Sequence, residues 1–159
     1  MGENVELIKA QAFETFPGLS NDDNFNITSN KDIKYNCIAW AFGLYKDRWM
    51  QFDTKPRFDG VWYWWPKGVE VSPSVFAYIE AFKSRGFELC ESCDLEAGFI
   101  KIALYVERGT EKCTHASRQK LDGIWMSKLG SWHDIEHGTP FSIQGDAYGD
   151  VYCFMKLAR

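Results

Sequence analysis

The chain has 159 residues, the size of a single domain, and its 45% hydrophobic and 25% charged residues are an ordinary globular balance. Its net charge of −4, with acidic residues scattered rather than blocked, gives no ground for a nucleic-acid or anionic-membrane partner. The N-terminal Met1-Gly2-Glu3-Asn4-Val5-Glu6 has neither the basic nor the apolar stretch of a secretory signal, and no apolar run reaches the ~18 residues of a spanning helix.

In chain order, residues 1–34 read as a lead-in and a polar, turn-rich loop that begins at Pro17-Gly18 and passes through Asn21-Asp22-Asp23-Asn24. From Cys37 to Tyr45 the residues are apolar almost throughout. Asn36 is a good N-cap, so the pattern predicts a buried helix with Cys37 in its first position. Residues 47–70, with Trp49, Trp62, Tyr63, Trp64, Trp65 and Pro66, are expected to be irregular. A second helix follows, capped by Ser72, with Pro73 in its first turn, Phe76, Ile79 and Phe82 on one face, and Gly86 at its end.

After Gly86 the period falls to two. Phe99 to Val106 alternates, with Ile100, Ile102, Leu104 and Val106 on one face of a strand. Cys113 to Gln119 is expected as a second strand. Lys120-Leu121-Asp122-Gly123 carries an Asp-Gly hairpin signal before Ile124 to Lys128, and Val151 to Met155 reads as a last strand. Helices first and strands later predict one α+β domain built on a mostly antiparallel sheet: a helical part over 35–86 and a sheet part over 87–159.

Five cysteines, an odd number, argue against a disulfide framework. Free thiols point to a reducing, cytoplasmic setting, with export by a route that needs no cleavable signal left open. Of these thiols Cys37 is the candidate nucleophile, because a helix N-terminus stabilises a thiolate. A base must come from His115, His133 or His137, the three histidines of the chain. His115 sits on a predicted strand, a rigid mount for a ring that must be aimed closely. If the hairpin closes on a four-residue loop, Lys128 lies across from it. An orienting group for the second ring nitrogen is expected from Asp134, with Asp122 and Glu136 as rivals.

The pieces Asn36-Cys37-Ile38-Ala39-Trp40-Ala41, Thr114-His115-Ala116 and Ile124-Trp125-Met126-Ser127-Lys128 together resemble papain-like and NlpC/P60-type cysteine hydrolases. That group orders its site as cysteine on a buried helix, histidine on a strand, then a polar residue. The resemblance implies a papain-like fold and a thiol nucleophile acting on an amide bond of a peptide or other substrate, without a cofactor. Hydrolysis, acyl transfer and deamidation would use the same parts. Asn36 or the Cys37 amide would serve as oxyanion donor. Trp40, Trp64 and Trp65 would line a substrate groove, and Arg118 or Gln119 would contact substrate. The chain departs from the group where Lys128 or Ser127 stands in place of an orienting Asn, and where no Gln precedes Cys37.

Two metal readings compete. Cys90, Cys93, Cys113 and His115 have zinc-ribbon-like spacing, although Cys113 and His115 sit two apart on a strand. His133-Asp134-Ile135-Glu136-His137 matches the H-x-x-E-H pattern of inverted zinc proteases, but Gly130 and Gly138-Thr139-Pro140 leave no room for the long helix that chemistry needs. No metal is expected. The rival to an enzyme is a non-catalytic protein-binding module that uses an aromatic surface patch.

Overall fold

The computed structural model describes residues 5–28, 48–49, 63–64, 66–70, 72–129 and 133–159. They form helix α1 (Val5–Thr15), a 3₁₀ turn (Pro17–Asn21), strands β1 (Asn26–Ile27), β2 (Arg48–Trp49) and β3 (Tyr63–Trp64), and helix α2 (Val75–Lys83). Six strands follow: β4 (Glu88–Cys90), β5 (Phe99–Val106), β6 (Cys113–Gln119), β7 (Trp125–Lys128), β8 (Asp134–His137) and β9 (Asp150–Ala158). A second 3₁₀ turn (Pro140–Ile143) precedes the last strand. Seven strands make one sheet in the order β1-β8-β7-β6-β5-β9-β4, and each neighbouring pair is antiparallel. The α+β class and the antiparallel sheet are thus as anticipated. Within 47–70, expected to be irregular, β2 and β3 pair in parallel, Arg48 with Tyr63 and Trp49 with Trp64. Among the described residues no helix is long and apolar enough to cross a membrane.

Helix α2 begins two residues later than the sequence suggests. Ser74, in extended backbone, caps it by accepting from the Phe76 amide, while Ser72 accepts from the Ser74 amide just outside. Phe76 faces out. The buried face comprises Val75, Tyr78, Ile79 and Phe82 with Ala77 and Ala81. It packs on Ile102, Leu104, Val106, Ala116 and Met155, so the alternation read along β5 did identify one core face. The opposite face of the same strands carries a second core: Ala103, Tyr105, Trp125 and Ile135 pack under Ala12, Phe16, Leu19 and Ile143 from α1 and the two 3₁₀ turns. A sheet covered on both sides buries residues of either parity, which is why Ile102, Ala103, Leu104 and Tyr105 are all fully enclosed.

The hairpin between β6 and β7 sets the chemistry of that second face. Gly123, at φ +91, lets the Asp122-Gly123 turn close, and the Lys120 amide bonds the Ile124 carbonyl at 2.8 Å. Five residues lie in the loop, and the register pairs Gln119 with Trp125 and Arg118 with Met126. This is one residue away from the four-residue closure expected, and a slip of one changes which side chains share a face. Ser127 therefore stands with His115, and Lys128 does not.

Candidate functional site

On the α1 side of the sheet three side chains from adjacent strands form a chain of hydrogen bonds. His115 Nε2 lies 3.0 Å from Ser127 Oγ, and Ser127 Oγ lies 2.8 Å from His137 Nε2. His137 Nδ1 lies 2.9 Å from the Thr139 carbonyl oxygen. His115, Ser127 and His137 are all fully buried. Burial holds His115 well below the usual histidine range, with the neighbouring His137 pushing the same way. Burial likewise brings His137 down to about 4, partly countered by its bond to Thr139 and by the charge of Asp22. Both rings are neutral at pH 7.

With both rings neutral, the positions of the protons follow. A carbonyl oxygen only accepts, so His137 carries its proton on Nδ1 and donates it to Thr139. His137 Nε2 is then a bare acceptor, and Ser127 donates to it. The Ser127 oxygen accepts in turn from His115 Nε2–H, which leaves His115 Nδ1 as an unprotonated lone pair. Reversing the chain would set a bare His137 Nδ1 against the Thr139 oxygen, two acceptors face to face, at a cost of about 1–3 kcal/mol. His115 Nδ1 has no hydrogen-bond partner among the described residues.

Tyr148 covers this ring: the two planes stack with centroids 4.1 Å apart and 3° between them. The tyrosine is delivered by the turn from Gly145 to Gly149, whose two ends exchange backbone hydrogen bonds. Thr114 Oγ1 donates to the Tyr148 carbonyl and ties the turn to β6. Position 149 requires glycine, since its φ is +79 and a Cβ there would sit 1.8 Å from the Val106 carbonyl oxygen. Tyr148 also forms part of the wall of a hollow of about 340 Å³, lined further by Gln11, Thr15, Phe16, Leu129 and Ala147. Beside the relay, Tyr105 donates to the Pro140 carbonyl at 2.7 Å and accepts from Ser117 Oγ at 3.1 Å.

Residues 26–156 match a family model described as a Domain of unknown function (DUF7689). The chain belongs to that family. No curated protein and no solved structure matches it. The DUF7689 match runs from the first residue of β1 to Lys156 in β9, so it takes in the whole sheet but for the last two residues of β9, and all three members of the relay.

The predicted site residues of this DUF7689 domain divide as follows. His115 is buried at one end of the polar chain. The ring contact expected from Asp134 is made by Ser127; Asp134 instead faces Lys128 across β7 and β8, with Oδ1 3.9 Å from Nζ. Gln119, expected to touch substrate, is committed to two backbone carbonyls, of Cys93 at 3.1 Å and Gly123 at 3.3 Å. Asn36, Cys37, Trp40 and Trp65 lie outside the described residues, and Trp64 is described only as a strand residue paired through Trp49. Ser127 is one of the two candidates expected across from His115, and His137, named among the possible bases and in the zinc pattern, is instead the next member of the hydrogen-bonded chain. That segment is strand β8. Among the described residues no three His, Cys, Asp or Glu side chains gather as a metal site requires.

Proposed function

We propose that this domain is a cysteine hydrolase or acyltransferase of papain-like architecture, in which Cys37 attacks an amide carbonyl and His115 is the base. The observation that carries the reading is the bare, enclosed Nδ1 of His115, in the tautomer a thiol-deprotonating base needs, with its other nitrogen held by Ser127. Ser127 supplies the orienting contact, as an acceptor that also hands its own proton to His137. Reach along the chain permits the pairing. Strand β1 lies beside β8 with Ile27 opposite Ile135. Nine residues then lie between Ile27 and Cys37, a span of at most ~35 Å.

In the forward step the thiol proton passes to His115 Nδ1 as sulfur bonds the carbonyl carbon. The imidazolium is held by donation from Nε2 to Ser127, and it returns the proton to the leaving amine as the C–N bond breaks. Water, or an acceptor amine, then attacks the thioester and frees the thiol. Because burial keeps His115 neutral, the thiol is deprotonated during attack rather than stored as an ion pair. Peptides and other amides are the substrate class.

Two probes test this. With 4-nitrophenyl acetate at pH 7.5, a single acetyl group should appear on Cys37 and turn over, and His115→Gln should abolish this while the circular dichroism spectrum is kept. With limiting iodoacetamide, Cys37 should be labelled ahead of Cys90, Cys93, Cys113 and Cys153. Burial pushes the Cys90 thiol up and the Cys153 thiol up to about 12, so the contrast with those two is large. Equal labelling of all five thiols, indifferent to His115, would sink the proposal.

A further inference from the structure

We propose that Asp22 is the positioning residue that fixes which ring nitrogen of His115 carries the proton, acting from the start of the chain through the turn that ends the relay. Its role in catalysis rests on the hydrolase reading above; its effect on the proton does not. Three imidazole and hydroxyl groups in a row can be bonded in either direction, since each member both donates and accepts. Only the end of the row breaks the tie, and that end is the Thr139 carbonyl. The direction of the whole relay therefore depends on how firmly one peptide group is held.

Asp22 holds it from both sides. Its carboxylate accepts from the Gly138 amide through both oxygens, at 3.0 and 2.8 Å, and from the Ser142 hydroxyl. Gly138 immediately precedes Thr139, and Ser142 lies in the 3₁₀ turn that follows it, so the clamp brackets the carbonyl that matters. The Asn24 amide, 2.9 Å from Oδ1, ties Asp22 to its own loop. The approach is close: a Cβ at position 138 would stand 2.8 Å from Asn24 Nδ2 and 3.0 Å from Asp22 Oδ1. The Thr139 hydroxyl accepts from the Phe141 amide in capping the turn, and the backbone oxygen accepts from the Ser142 amide at 3.2 Å as well as from His137. Asp22 is 116 residues from Gly138 in sequence, and it bonds this turn from the N-terminal segment while Phe16 and Leu19 pack with Ile143.

The test reads protons directly. In protein labelled with ¹⁵N-histidine at pH 7.5, long-range ¹H–¹⁵N spectra should show His115 protonated on Nε2 alone and His137 on Nδ1 alone. In Asp22→Ala both rings should move together to mixed tautomers while the amide signals of β5 to β9 stay in place. In a Ser127→Ala background the same Asp22→Ala change should move His137 only, because the link to His115 is cut. If Asp22→Ala does not fold, Ser142→Ala, which removes one of the clamped donors, should give a smaller shift in the same direction. An unmoved His115 in the folded single variant, or an equal movement with and without Ser127, overturns the proposal. The spectra need no thiol, so Cys37→Ala should leave them unchanged, and failure of the hydrolase reading would leave this result standing.

Discussion

The two faces of the central sheet are built from alternate residues of the same strands, yet they are made of different material. Towards α2, β5 and β6 present Ile102, Leu104, Val106 and Ala116, a dry apolar surface. Towards α1 the intervening positions are Tyr105, His115 and Ser117, and the neighbouring strands add Ser127 and His137, all buried and joined by hydrogen bonds. An apolar face loses only contacts when an atom is removed. A polar face that is closed to water loses the partner of every group left behind, and each such group then carries its full desolvation cost. A sheet needs one good core to stay folded, and polar groups held inside a second one are a specific arrangement whose orientation carries information.

The largest loss is expected on the apolar side. Phe82 is fully enclosed and meets Phe87 edge-on, with centroids 5.2 Å apart. Phe82→Ala should cost about 3–5 kcal/mol in urea unfolding and leave the tautomers of His115 and His137 untouched. A change of histidine state in that variant would mean that the two faces are not separate.

Acid should act on the other face alone. The unfolded chain takes up protons on histidine near pH 6.5, while the native chain refuses one at His137 until about pH 4. Between those values the unfolded state binds more protons, so stability rises with pH through the window, is complete above about 6.5, and is lost as pH falls. His137 alone should account for roughly 3 kcal/mol across the window, and His115 shifts stability in the same direction. Urea midpoints at pH 7.5, 6 and 5 check this. A flat series would show that the rings are not kept neutral.

How much of this could be read from the sequence follows from the same contrast. The apolar face was legible, because alternation along Phe99 to Val106 is a property of the strand itself, and the strand observed has those bounds. Strand β6 was placed correctly for the same reason. Helix α1 was not seen: of its residues only Ile8 and Ala12 are buried, while Val5 and Leu7 are exposed, so its pattern is faint. Strands β1, β4 and β8, two to four residues long, are too short to show a period. At the site, His115 could be singled out as a strand histidine. Its partner could not, because the choice between Ser127 and Lys128 hangs on one residue of hairpin register. His137 and Asp22 join the site through strand order and a turn contact, which no local pattern encodes.

A smaller effect sharpens the polar side. Ser127→Ala leaves His115 Nε2–H and His137 Nε2 both without their partner, and it should cost about 1–3 kcal/mol. Removing a hydroxyl from a dry core position would cost less, so the size of the loss measures how completely water is kept out.

Tyr105→Phe leaves two neutral buried groups behind and should cost no more than Ser127→Ala, about 1–3 kcal/mol. The phenol is fully buried, and burial pushes its ionisation upward, so the loss is that of a neutral hydroxyl. Its two partners, the Pro140 carbonyl and Ser117 Oγ, are left in place. Tyr105 and His137 bond consecutive carbonyls of one turn, Pro140 and Thr139. If the turn is held by Asp22, the Thr139 carbonyl stays where it was and His115 keeps its proton on Nε2. If the turn is instead held by Tyr105, the same substitution releases the relay and His115 becomes mixed. One ¹⁵N spectrum of Tyr105→Phe therefore decides whether the polar face is organised from the sheet outward or from the N-terminal segment inward.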